Sequence, residues 1–149
     1  HVIYRVNFMA EIAYTIYDSD YISVIYHPET KIVHHTFHKA MPGSELRAAL
    51  NAGTNFLRRY GVTKWLSDER QNPGLAPEDV HYQINDWAPR TAKAGWKYWA
   101  LVVPESVMGR MNMIQFVESF ASQGVMVRVF TDPDVAMEWL INVDKQTQS

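Results

Sequence analysis

Lys97-Tyr98-Trp99-Ala100-Leu101-Val102-Val103 is a nearly continuous apolar run, and its reading decides the fold. A run without polar alternation belongs to a central strand covered on both faces. The segments on either side of it carry helical spacing. Upstream, Ala76 to Ala94 places Val80, Ile84 and Trp87 on one side, the step of an amphipathic helix. Pro89 must kink or split that helix near Trp87, and Gly95 ends it. Downstream, a helix spans about Arg110 to Gln123 and stops at Gly124. Val125 to Phe130 is the last strand. Asp132 then caps a final helix with Pro133 at its first position. Val135, Ala136, Trp139, Leu140 and Val143 form the buried stripe of that helix, and the polar tail from Asp144 frays.

The pattern continues toward the N-terminus. Val62 to Ser67 is a short strand, and Asp68 to Gly74 is a polar loop marked by Pro and Gly. Gly43 to Tyr60 is a long helix. Its stripe is Leu46, Ala49, Leu50, Gly53, Phe56, Leu57 and Tyr60, with Arg58, Arg59 and Gly61 as stop signals. Tyr21 to His27 and Lys31 to His38 form a hairpin through Pro28. A four-residue loop pairs His27 with Ile32. That register puts Ile22, Val24, Tyr26, Val33 and Phe37 on the core face. Tyr21, Ser23, Ile25, His27, Ile32, His34, Thr36 and His38 then fall on the other.

The expectation is an α/β domain with a mixed sheet, an antiparallel hairpin feeding parallel strands through right-handed crossovers, and about four helices. Residues 21–143 make the domain. Residues 1–20 are an N-terminal extension or an extra strand, and 144–149 are a polar tail. His1 to Phe8 stands open between a native segment and an added or upstream-translated one, the latter with Met9 as the start.

Bulk properties bound the function. A chain of 149 residues with 13% aromatics closes one real core. The net charge of -2 lacks a basic stripe, so the footprint of a nucleic-acid binder is missing. Cysteine is absent, which removes disulfides, thiol catalysis and cysteine metal sites and points to a reducing, cytoplasmic compartment. No apolar run reaches the ~18 residues of a spanning helix. Arg5, Asn7 and Glu11 interrupt any signal-peptide plan.

The element order resembles the STAS domains, named for sulfate transporters and anti-sigma-factor antagonists, and within them the SpoIIAA-like branch of small bacterial proteins. The resemblance runs from about Tyr21 to Leu140. It rests on Lys64-Trp65-Leu66-Ser67-Asp68-Glu69-Arg70, Trp87-Ala88-Pro89-Arg90, Ala94-Gly95-Trp96-Lys97 and Ala136-Met137-Glu138-Trp139-Leu140. It implies a non-enzymatic regulatory module that binds a protein partner. In phospho-switched members an Asp-Ser-Ser/Thr-Gly stretch opens the helix after the middle strand. Here Ser67 precedes Asp68, and Glu69-Arg70 stands where the phospho-acceptor and glycine would lie. Ser67 is therefore a displaced analogue.

The residues themselves leave alternatives open. Trp65, Ser67, Asp68, Arg70, Trp87 and Arg90 form a candidate rim for a ligand or partner, since open α/β sheets bind ligands beyond the carboxyl ends of their strands. Arg70 offers a fork for a carboxylate or phosphate. The alternative is that Asp68 and Arg70, or Asp86 and Arg90, pair internally. The five tryptophans line a small-molecule or lipid pocket or pack the core with each indole N–H partnered. Met108, Met111 and Met113 are a lip over a pocket, a docking patch or core filling. Tyr21, Ile25, Ile32 and His34 are a candidate homodimer face. His34 and His38 share a face but lie roughly 13 Å apart, so no metal and no cofactor is expected. No phosphate loop, Gly-x-Ser-x-Gly elbow or His-Glu-x-x-His helix is present. Scattered Ser, His and Asp converging in space is the remaining route to an enzyme.

Overall fold

The structure is a computed structural model and describes residues 12–145. Six strands form one mixed sheet in the order β1-β2-β3-β4-β5-β6. They are β1 (Tyr14–Asp18), β2 (Ile22–His27), β3 (Ile32–Phe37), β4 (Lys64–Asp68), β5 (Tyr98–Val102) and β6 (Met126–Phe130). The first three are antiparallel neighbours and the rest run parallel to β3. The helices are α1 (Gly43–Tyr60), α2 (Pro77–Tyr82), α3 (Ala88–Ala94), α4 (Val107–Ser122) and α5 (Pro133–Asn142). A π-turn, Gln83–Trp87, joins α2 to α3 without a break, so the pair acts as one helix.

The hairpin register is the expected one, with His27 opposite Ile32. Tyr14–Asp18 is an extra strand bonded to β2, while the question of His1 to Phe8 and Met9 lies outside the described residues.

Each parallel strand lies beside its predecessor, so crossovers of the usual right hand carry α1, α2-α3 and α4 to the same face. The packing agrees. One core joins Ile22, Val24, Val33, Phe37, Trp65, Trp99 and Leu101 of the sheet to residues from all three helices. The opposite face has a smaller core, in which Ile32, Leu66, Ala100 and Val102 meet Ala136 and Leu140 of α5. This two-sided cover explains the unbroken apolar run of β5.

Several expectations change at this level. Tyr21 precedes β2 and packs against the main core rather than the opposite face. Ile32 is fully buried beneath α5, so it belongs to no exposed dimer face; Ile25 and His34 are half-buried. The final helix lies on the sheet through fully buried Ala136 and Leu140, with Met137, Trp139 and Ile141 partly buried beside them, and leaves Val135 exposed. Tyr60 is also exposed, its ring tilted against Phe56 at the end of α1. Asp144 does not fray: its carboxylate takes a 2.8 Å bond from the buried Lys64 ammonium.

Candidate functional site

Pro89 shapes the site from a distance. It lacks an N–H, so the carbonyl four residues earlier has no helical donor from it. The chain accommodates this just upstream with a wide turn, in which the Ala88 N–H bonds the Gln83 carbonyl five residues back. Such π-turns frequently mark functional sites. Here the turn carries two buried side chains, Gln83 and Trp87, on the face toward the sheet.

A small pocket lies beneath that turn. Its floor is polar: His35 from β3, Ser67 from β4, Glu69 and Asn72 from the loop after β4, and Gln83. Trp87, Trp99, Leu101, Pro104, Met113 and Phe116 supply much of the apolar wall. The cavity measures about 30 Å3, room for about two water molecules. Of the lining residues only Glu69 and Met113 are not buried, so these two form its mouth. Gly109 roofs it at close quarters: a Cβ there would stand 2.7 Å from the Asn72 carbonyl oxygen. Ser106 fastens the roof. It caps α4 by accepting from the Gly109 N–H at 2.9 Å and donates to the Asn72 carbonyl at 2.8 Å.

The floor is a directed hydrogen-bond chain. The Trp65 indole N–H, a donor only, bonds His35 Nδ1 at 3.0 Å. The hydrogen of His35 therefore sits on Nε2 and is donated to the Glu69 carboxylate. The other Glu69 oxygen accepts from Asn72 Nδ2 at 2.8 Å. The Trp99 indole donates to Ser67 Oγ at 2.8 Å. Ser67, His35 and Glu69 thus do converge, as a hydrolytic triad would require. Both imidazole nitrogens are already engaged, however, and neither can take the serine proton. Ser67 is also buried at the pocket floor, out of reach of a kinase in this conformation.

The candidate rim splits in two. β4 runs on to Asp68, and strand alternation sends Ser67 and Asp68 to opposite faces. Trp65, Ser67 and Trp87 point into the main core. Asp68 and Arg70 lie across the sheet, where Arg70 grips the carboxylate with two bonds, 2.9 and 2.7 Å. Burial pushes the Asp68 carboxyl up, but the Arg70 hydrogen bonds outweigh it and hold the group below its usual range. Arg70 also feels the charges of Glu105 and Asp132, and the fork edge that would clasp a ligand carboxylate is already taken by Asp68. Arg90 is on the outer surface, paired with Asp86 at 3.1 Å and bonded to the Tyr82 hydroxyl. It is not part of the rim.

Near Asp68, His27 Nε2 and His34 Nδ1 stand 3.0 Å apart. Burial first, then the neighbouring His27 and His35, pushes the His34 pKa down to about 4. Among the described residues no group of three or more His, Asp or Glu side chains is gathered for a metal ion.

The tryptophans divide likewise. Trp87 and Trp99 line the pocket. Trp65 and Trp96 are core, and Trp139 packs against Phe130 on the α5 side. Trp87 donates to Thr54 Oγ1 at 2.8 Å. The buried Trp96 indole N–H finds no partner among the described residues, against the expectation that each would. The methionines separate too. Met113 reaches the pocket mouth, whereas Met108 and Met111 are more than half exposed.

His35, Asn72 and Gln83 were not in the expected rim. Two had a readable signal. Alternation puts His35 between Val33 and Phe37 on the core face, and Gln83 falls between Val80 and Trp87 on the buried stripe. A polar residue inside an apolar period is that signal.

No family model, curated protein or solved structure matches this chain.

Proposed function

We propose that this protein is a non-enzymatic binding module that takes a small ligand in the pocket beneath the π-turn. The observation that carries this reading is Gln83. Its side chain lines the pocket and is 8% exposed, and it has no hydrogen-bond partner among the described residues. Its amide atoms are not sealed off in the interior but open into the pocket, where two donors and one acceptor stand ready for a ligand. The wall is apolar and the polar groups are few and convergent, the usual make-up of a small-molecule site. A fragment screen by two-dimensional NMR tests it, reading the indole N–H resonances. Saturable shifts at Trp99 are expected. A screen whose binders all map to the outer face of α4 instead would sink the reading.

A second reading has its own observation. Val107, Met111 and Ile114 recur at four- and three-residue steps and are 71%, 54% and 55% exposed, an apolar stripe turned to solvent. It supports the STAS-like, SpoIIAA-like interpretation, in which a bacterial cytoplasmic regulatory domain docks a protein partner. Element order and the absence of cysteine are consistent with that reading. Val107→Asp with Met111→Asp tests it. Partner recovery should be lost while stability stays within about 0.5 kcal/mol; unchanged recovery removes the stripe from the interface.

A further inference from the structure

The spare hydrogen-bonding capacity of the pocket floor specifies a ligand class. Ser67 Oγ accepts from Trp99, so its own hydrogen is available to donate. The Gln83 amide has no partner among the described residues and offers two donors and an acceptor. The Glu69 oxygens accept one bond each, from His35 and Asn72, and keep further lone pairs. His35 has nothing left to offer. The floor thus presents donors and acceptors side by side. The cavity has room for about two waters, the space taken by the oxygen and nitrogen of one amide group. At its half-buried edge stand Glu69 and Met113, and Pro104 and Phe116 also line it, an apolar border that includes a flexible methionine.

We propose that the pocket selects a neutral head that both accepts and donates a hydrogen bond, a primary amide or a hydroxyl, on an unbranched apolar stem. This rests on the ligand-pocket reading above. A carboxylate head fails because its oxygens are acceptors only and would face the Glu69 oxygens. An ammonium head fails for the opposite reason. It can donate to the Glu69 carboxylate, but it has no acceptor and leaves both the Ser67 hydroxyl and the Gln83 amide hydrogens without a ligand partner. An amide meets all three residues at once: its oxygen, with two lone pairs, accepts from Ser67 and Gln83, and its N–H donates to Glu69.

Four six-carbon probes separate these cases: hexanamide, 1-hexanol, hexanoate and hexylamine. Each is titrated into the full chain at neutral pH, reading the Trp99 indole resonance, which is assigned from the spectrum of Trp99→Phe. Hexanamide and 1-hexanol are expected to shift it saturably, and hexanoate and hexylamine to bind at least about tenfold more weakly, the cost of about one unmade hydrogen bond in a buried site. Equal or tighter binding of hexanoate or hexylamine overturns the head-group assignment and leaves the pocket reading standing. No saturable shift with any of the four overturns both. Gln83→Leu should weaken hexanamide about tenfold without lowering the melting temperature; unchanged affinity overturns the role of Gln83. If that variant does not fold, Ser67→Ala serves instead, with the same loss expected and the same refutation.

Discussion

Gly53→Ala puts the packing behind the site to a quantitative test. Gly53 lies mid-helix in α1 and faces the sheet. An added Cβ would stand 2.4 Å from Trp65 Cη2 and 3.1 and 3.2 Å from the neighbouring ring carbons. Ordinary carbon contacts lie at ~3.5–4.0 Å, so the ring must retreat by about 1 Å. It has nowhere to go. Trp65 is fully buried, with Trp87 edge-on at 5.2 Å and Trp96 at 6.2 Å between centroids. Alanine improves helix propensity by about 1 kcal/mol. Overpacking costs about 1–3 kcal/mol, and losing the Trp65 to His35 bond adds about 1 kcal/mol. The net expectation is a loss of about 1–3 kcal/mol, with the melting temperature falling about 2–4 °C for each. Urea unfolding measures the stability, and the Trp65 indole resonance reports its bond to His35. In a Trp65→Phe background the same change should be neutral or stabilising, because phenylalanine stops short of Cη2, giving a coupling above about 1 kcal/mol. A more stable Gly53→Ala protein with the Trp65 resonance unmoved would refute the reasoning.

Other expectations follow from single contacts. The folded His34 pKa, about 4, lies below its unfolded value of about 6.5. The unfolded chain therefore binds the extra proton between these values, so stability is full above about pH 6.5 and falls by about 3 kcal/mol as pH drops to about 4. Denaturant melts across that range should show the slope, and His34→Asn should flatten it; an equal slope in the variant assigns the effect elsewhere. Lys64 is buried and bonded to Asp144 and to the Ile141 carbonyl. Lys64→Met should be close to neutral, whereas Asp144→Ala, which leaves a buried ammonium short of an acceptor, should cost about 1–3 kcal/mol; the reverse order in chemical denaturation would contradict this. Ser106→Ala removes the cap of α4 and its tie to Asn72, at about 1 kcal/mol. Amide exchange should quicken in the first turn of α4, and unchanged rates would show that the roof is held by other contacts.

The reach of the sequence is clearest in β4. Val62 to Ser67 reads as a strand from its residues, but the paired strand is Lys64–Asp68, and its end at Asp68 is set by pairing with Thr36 and Val102. That one residue decides the site. Period two sends Ser67 to the pocket and Asp68 to the far side, where Arg70 holds it. A continuous rim read along the chain becomes two unrelated clusters.

What the sequence determined on its own is the set of features carried by local periodicity. These are the α/β class, the hairpin register through His27 and Ile32, the helix irregularity just before Pro89 and the two-sided burial of β5. Each follows from side-chain spacing or backbone chemistry within a few residues. Tertiary structure alone decided which side chains meet. His35, Ser67, Glu69 and Gln83 come from separate elements, and only the sheet register and the close approach of Gly109 bring them round one cavity. Burial of Ile32 required α5 to fold back across the sheet from over 100 residues away. Pairings between distant segments depend on the summed packing of the whole core, which no local pattern encodes.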